Sequence, residues 1–248
     1  MGSKRHKLCV FDFIRIMAFP ADVLLTLKMM VVGHSYITRM DHFLSQVNNL
    51  DLAFFRQWSH FSVEFCGLPG ATIFSGRKCL HSLLPQILQK KPDVVFLQIG
   101  ENDISNGHRG VGVAAKIVDV VQLLLNDGVS RVVVGQLLPF PRLIDLGKRN
   151  EIIAANCELK RRLASIVGAR LWQHRFGAWS SIRYRELFTA DRVHLSVRGQ
   201  TKFASSIHGA LMKAITAAAF QQCSAEVAEP TPEMEMVELN VPMDMPNI

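Results

Sequence analysis

Val31-Val32-Gly33-His34-Ser35-Tyr36 places a serine just past a glycine at the end of an apolar run, which is how a sheet displays a nucleophile. A Gly-x-Ser at a strand end lets the backbone turn sharply and leaves the Ser35 hydroxyl and its own N–H facing one space. Three further stretches carry groups suited to acting on a polarised bond: Gly70 in Leu68-Pro69-Gly70-Ala71-Thr72, Asn102 in Gly100-Glu101-Asn102-Asp103, and Asp191 with His194 in Asp191-Arg192-Val193-His194. Each also has a plainer reading. Ser35 would serve as a helix cap, Gly70 as a turn glycine and Asn102-Asp103 as a turn or cap pair. His194 would be a polar residue near a helix start, with Asp191 as its N-terminal charge. Whether the fold brings the four together separates the two readings.

The elements that would do so read as alternating strands and helices. Residues 27–32 are nearly all apolar, as a strand buried on both faces should be, and 37–50 follow as a helix. A second strand at 61–65 is closed by Gly67-Leu68-Pro69-Gly70, and 75–90 reads as a helix through Leu80, Leu83, Leu84, Ile87 and Leu88. Residues 93–99 form a third strand and 113–126 a helix. A fourth strand, 131–138, runs into the extended Pro139-Phe140-Pro141. The next helix, 149–167, carries Ile152, Asn156, Leu159, Leu163 and Ile166 on one face, and a short fifth strand follows at 169–172. A last helix from 194 onward has the inward stripe Ile207, Leu211, Ala214 and Ala218. Parallel strands need crossovers of this length, and right-handed connections place helices on both faces, so the fold class is α/β, a three-layer sandwich. In such sheets ligands sit beyond the carboxyl ends of the strands, near the point where strand order reverses. Ser35 follows strand one, Gly70 strand two, Asn102 strand three, and Asp191 and His194 strand five.

The chain has 248 residues and 49% hydrophobic content, enough for one sizeable core. Residues 1–26 show no clear period and read as an N-terminal extension outside the fold, 27–223 as the domain, and 224–248 as an acidic, proline-rich disordered tail. That tail holds six acidic side chains and no Lys or Arg. Setting it aside turns the formal net charge of +7 into +13 on the remainder. A basic body leaves attraction of nucleic acid open, but the charges do not gather into one block beyond 4–7 and 160–162. No apolar run approaches the roughly 20 residues of a membrane span. Asp12, Arg15 and Asp22 interrupt the stretch where a signal peptide would lie. The cysteines, Cys9, Cys66, Cys79, Cys157 and Cys223, have no paired spacing that suggests zinc or a dithiol. Reduced thiols and a cytoplasmic location are expected.

As a set, the four blocks resemble the SGNH hydrolase superfamily, the GDSL-type esterases and lipases, over residues 27–220. Compact esterase domains of this kind also occur in retrotransposon-encoded proteins. The resemblance implies a flavodoxin-like five-stranded parallel sheet in the order 2-1-3-4-5, no cofactor and no metal. It implies a carboxylic ester hydrolase in which His194 takes the Ser35 proton and returns it to the leaving alcohol, while Asp191 accepts the His194 Nδ1 hydrogen. The Ser35 N–H, the Gly70 N–H and the Asn102 amide would meet the carbonyl oxygen as charge builds on it. One position departs from the family: His34 stands where Asp is usual, and it reads as structural because adjacent residues diverge at a sharp turn. The expected substrate is a short-acyl ester of a carbohydrate, lipid head or small molecule, since short loops leave no room for a lid. Trp172, Phe176, Trp179 and Phe188, in the segment leading to His194, would either pack on that substrate or anchor the loop. Two alternatives stand beside the enzyme: a catalytically silent binding module of the same fold, and a nucleic-acid-associated esterase-like domain of a retroelement protein.

Overall fold

Apolar runs at β1 (Leu27–Gly33), β2 (Phe61–Gly67), β3 (Val94–Gln98), β4 (Arg131–Gly135) and β5 (Ala169–Trp172) form a single all-parallel sheet in the order 2-1-3-4-5. The computed structural model describes residues 27–46, 61–179 and 181–228, with only the backbone for 218–228. Val31, Val32, Val94 to Leu97 and Val132 to Val134 are fully buried, as strands covered on both faces must be. The crossovers supply the cover: α1 (Ser35–Gln46), α2 (Leu84–Gln89) after a 3-10 turn at Leu80–Leu83, α3 (Glu101–Ser105), α4 (Gly110–Asn126), α5 (Pro141–Asp145), α6 (Arg149–Leu163), α7 (Ile182–Arg185) and α8 (Val197–Ala228). Helices α1 and α8 pack on each other and on the sheet, and α4 and α6 form the other main pair. The result is the expected three-layer arrangement.

Several boundaries differ from the sequence reading, each for a local reason. The helix expected at 75–90 starts only near residue 80. The stretch before it folds into a loop closed by the Thr72 N–H to Lys78 O bond (3.0 Å) and the Leu80 N–H to Thr72 O bond (2.8 Å), while Pro85 sits in the first turn of α2. Strand β4 stops at Gly135 rather than 138. The Leu137 N–H and carbonyl are taken by the Asn156 side chain at 2.9 and 3.0 Å, and the Leu138 N–H by Glu101 at 3.0 Å, so the ladder ends where side chains replace it. Helix α6 ends at Leu163 rather than 167. The last helix begins at Val197, where Ser196 Oγ accepts from the Gly199 N–H (3.3 Å), rather than at 194. Along α8, Ile207, Leu211 and Ala214 face the core, and the backbone stays helical to Ala228, into the stretch read as tail. Residues 1–26 and 229–248, on which the extension and most of the tail were read, lie outside the described residues. Among the described residues no helix is long and apolar enough to cross a membrane.

Candidate active site

The centre of the sheet's carboxyl edge is the end of β1, which lies between β2 and β3 with Gly33 in register with both Gly67 and Gln98. Strand order reverses here. A Cβ on Gly33 would stand 2.2 Å from the Gln98 carbonyl oxygen, so only glycine lets the strands close this tightly before the chain turns. Helix α1 opens at Ser35 itself, two residues earlier than expected. Its N–H is one of the first-turn donors that find no acceptor within a helix. Next to it, Tyr36 is buried and its hydroxyl donates to the Val193 carbonyl at 3.0 Å. Burial, reinforced by the Glu101 charge, pushes the Tyr36 phenol well above its ordinary range, so it stays protonated and remains a donor.

That bond leads to the loop before α8. His194 Nδ1 lies 2.6 Å from Asp191 Oδ2, while Asp191 Oδ1 accepts from the Val193 N–H (2.9 Å), the His194 N–H (2.9 Å) and the Thr189 hydroxyl (2.7 Å). The turn between them needs Arg192 in the left-handed region (φ 60°). It is held there by an Arg192 ion pair to Asp145 (2.6 Å) and by the Arg142 N–H on its carbonyl (3.1 Å). Partial burial would raise the Asp191 carboxyl, but the four hydrogen bonds outweigh it and hold the group well below the usual carboxylate range. With Nδ1–H committed to an ionised carboxylate, the lone pair of an imidazole is left on Nε2, where it can take a proton.

Gly70 and Asn102 meet on the other side. Gly70 has φ +79°, a conformation that favours glycine, whereas the nearest atoms to a Cβ there would be Lys78 Cδ and Nζ at 3.4 and 3.6 Å. Backbone conformation rather than protein crowding therefore selects the residue. Among the described residues no acceptor is found for its N–H. Asn102 lies on α3 and donates from Nδ2 to the Ala71 carbonyl at 2.9 Å. The buried Asp103 beside it accepts from the Ile73 N–H (3.0 Å to both oxygens) and the Phe74 N–H (3.1 Å). Helix α3 thus clamps the loop that carries Gly70.

The aromatic residues are engaged by the protein itself. Phe176 is buried, tilted on His174 at 5.4 Å and edge-on to Phe203 at 6.5 Å. Phe188 packs on Tyr184 at 5.3 Å. Trp172 gives its indole N–H to Ser206 Oγ (3.0 Å), and the half-buried Trp179 rests against the core. Among the described residues no group of three or more His, Cys, Asp or Glu side chains is arranged to hold a metal ion.

Sequence reasoning missed a buried polar chain beneath the site. His34 Nε2 lies 3.0 Å from Glu101 Oε2, and Glu101 Oε1 accepts from Gln98 Nε2 (2.6 Å) and from Leu138 N–H. Gln98 Oε1 meets His174 Nε2 (3.0 Å), and His174 Nδ1 meets Ser206 Oγ (2.9 Å). Burial would raise the Glu101 carboxyl, but the His34 imidazole and the Leu138 N–H lower it below its ordinary value. Burial pushes His174 down to about 4. An unfolded imidazole titrates near about 6.5, so between the two values the unfolded chain binds the extra proton. Stability is then whole above that upper value and falls as the pH drops towards the lower one. The share lost between about pH 7 and pH 5 should be on the order of 2 kcal/mol. Urea unfolding of the protein and of His174→Gln at both pH values checks this, and an equal pH slope in the variant would assign the loss elsewhere.

Residues 34–202 match the model of the GDSL-like lipase/acylhydrolase family. No curated protein matches the sequence. Among solved structures, a member of the lipolytic G-D-S-L family from Veillonella parvula superposes with a TM-score of 0.54 at 17% identity, covering 73% of this chain and 95% of that one. A carbohydrate esterase family 3 protein from Talaromyces cellulolyticus gives 0.55 at 13% identity over 77% and 99%. A catalytic mutant of Axe2, an acetylxylan esterase from Geobacillus stearothermophilus, gives 0.55 at 15% identity over 74% and 93%. These likenesses agree with the sheet order. With a family model matched from the turn after β1 into α8, the chain belongs to the GDSL-like lipase/acylhydrolase family.

Proposed function

We propose that the protein is a serine esterase that hydrolyses short-acyl carboxylic esters, with Ser35 as nucleophile, His194 as base and Asp191 as its orienting acid. Ser35 Oγ attacks the carbonyl carbon as His194 Nε2 takes its proton. The oxygen, now negative, is met by the Ser35 N–H, the Gly70 N–H and the second N–H of the Asn102 amide, whose first is used on Ala71. His194 returns the proton to the departing alcohol, and a water activated by the same nitrogen then releases the acid from Ser35. The observation that carries this reading is the Tyr36–Val193 bond: the residue after the serine is tied to the residue before His194. A fluorophosphonate, which reports an activated rather than a merely exposed serine, should label Ser35 and nothing in Ser35→Ala. A label found by mass spectrometry on another residue would remove the assignment.

The preference for a short acyl chain rests on the compact loops around Ser35, and the names of the carbohydrate esterase and acetylxylan esterase neighbours agree with it. Phe176 and Phe188, buried in the protein, anchor the His194 loop in this reading, and the half-buried Trp172 and Trp179 are left to flank the alcohol side. An acyl tunnel would add about 0.8 kcal/mol, roughly fourfold, per buried methylene. The kcat/KM for aryl esters should therefore stay flat or fall from acetate to dodecanoate. A steady rise would show a long apolar channel.

A further inference from the structure

The buried chain beneath the site has a direction. The Tyr36 N–H points at His34 Nδ1 (3.5 Å), which makes that nitrogen the acceptor and leaves the hydrogen on Nε2 to be donated to Glu101. From the other side, the Trp172 indole N–H is donated to Ser206 Oγ, the Ser206 hydroxyl to His174 Nδ1, the His174 Nε2–H to Gln98 Oε1, and the Gln98 amide to Glu101 Oε1. Gln98 has no freedom to reverse, because its amide also donates to the Gln136 carbonyl at 3.2 Å. All the hydrogens therefore run towards one carboxylate, from the nucleophile turn on one side and from α8 on the other, and such chains strengthen one another in a dry interior.

The two ends of the short bond in this chain are the neighbours of two site residues: His34 precedes Ser35, and Glu101 precedes Asn102. His34 is 2% exposed and Glu101 not at all. We infer that the His34–Glu101 pair is the positioning element that sets the spacing between the nucleophile Ser35 and the oxyanion donor Asn102, with His34 acting as a hydrogen-bond donor and not as a base. The inference rests on the esterase reading above and adds to it two residues that touch no substrate. The pair also explains why a histidine is acceptable at this position: a carboxylate there would face Glu101 across a buried gap, where two like charges repel strongly.

The test follows from donor and acceptor matching, read in four variants by kcat, KM, fluorophosphonate labelling rate and thermal melting. His34→Leu removes the donor and frees the turn. A misplacement of about 1 Å costs on the order of 100-fold, so kcat and the labelling rate should fall by about that factor with KM within about threefold. His34→Gln places an amide N–H near the original Nε2 and should recover activity to within about tenfold of the native protein, with an unchanged pH–rate profile. His34→Glu sets two carboxylates face to face and should be at least as damaged as His34→Leu. Combining it with Glu101→Gln should restore much of the loss, because the new amide keeps its oxygen for Leu138 and Gln98 and offers its N–H to the new carboxylate. A His34→Leu protein with native kcat, a double variant no better than His34→Glu, or a His34→Gln profile that loses a titrating limb would each overturn the inference. A fall in melting temperature with undiminished kcat in the folded fraction would do the same, leaving only a structural role. Absence of label on Ser35 in the native protein would instead overturn the esterase reading itself.

Discussion

Replacing His194 with alanine should lower kcat by about four to six orders of magnitude, the loss expected when the base of a nucleophile–base unit is removed. The ring is partly exposed, its side chain at 23%, and its hydrogen bond is to Asp191 within the same loop, so the fold should survive the change. Asp191 offers a sharper comparison. In Asp191→Asn the amide oxygen would still accept from the Val193 and His194 N–H groups and the Thr189 hydroxyl, so the loop should be preserved. The amide nitrogen would then face His194 Nδ1 as a donor and force the hydrogen onto Nε2, the wrong tautomer for a base. That defect is worth about 10⁴ in kcat. Asp191→Ala, which also dismantles the loop, should melt earlier as well as turn over slowly. Steady-state kinetics beside thermal melting separates these outcomes, and a His194→Ala protein within tenfold of native kcat would exclude the residue as the base.

Asn102→Ala should lower kcat by about 100- to 1,000-fold while KM changes within about threefold, because the donor acts on charge present only in the transition state. The structure adds a second expectation. Since the Asn102 amide also holds the Ala71 carbonyl, its loss loosens the loop bearing the Gly70 N–H, and two donors are impaired together. Asp103 keeps its grip on Ile73 and Phe74, which should limit the damage to melting temperature. Unchanged turnover would show that the amide points away from the reacting carbonyl.

The strands were legible because a parallel sheet covered on both faces leaves no room for polar residues, so β1, β3 and β4 read as unbroken apolar runs. The limits of the helices were less so. Leu80, Leu83, Leu84, Ile87 and Leu88 keep a helical period across a 3-10 turn and a short α-helix, and period alone does not reveal that the chain before them pairs Thr72 with Lys78 and Leu80. Leu137 and Leu138 look like strand and are as buried as one, but their backbone partners are the side chains of Asn156 and Glu101, distant in sequence. The same distance hid the polar chain: Gln98 and His174 are 76 residues apart. A glutamine closing an otherwise apolar strand and a histidine against a glycine turn were its only visible signs.

Asp191 binds the three donors of its Oδ1 and the ring of His194 entirely within residues 189–194. The carboxylate and imidazole of the proposed pair are therefore joined by local contacts, while tertiary contacts from Asp145 and Arg142 fix the Arg192 turn between them and Tyr36 ties the loop to the end of β1. Little ordering entropy therefore remains to be spent on that pair when a substrate binds, since the carboxylate is already held by three donors and the ring by the carboxylate.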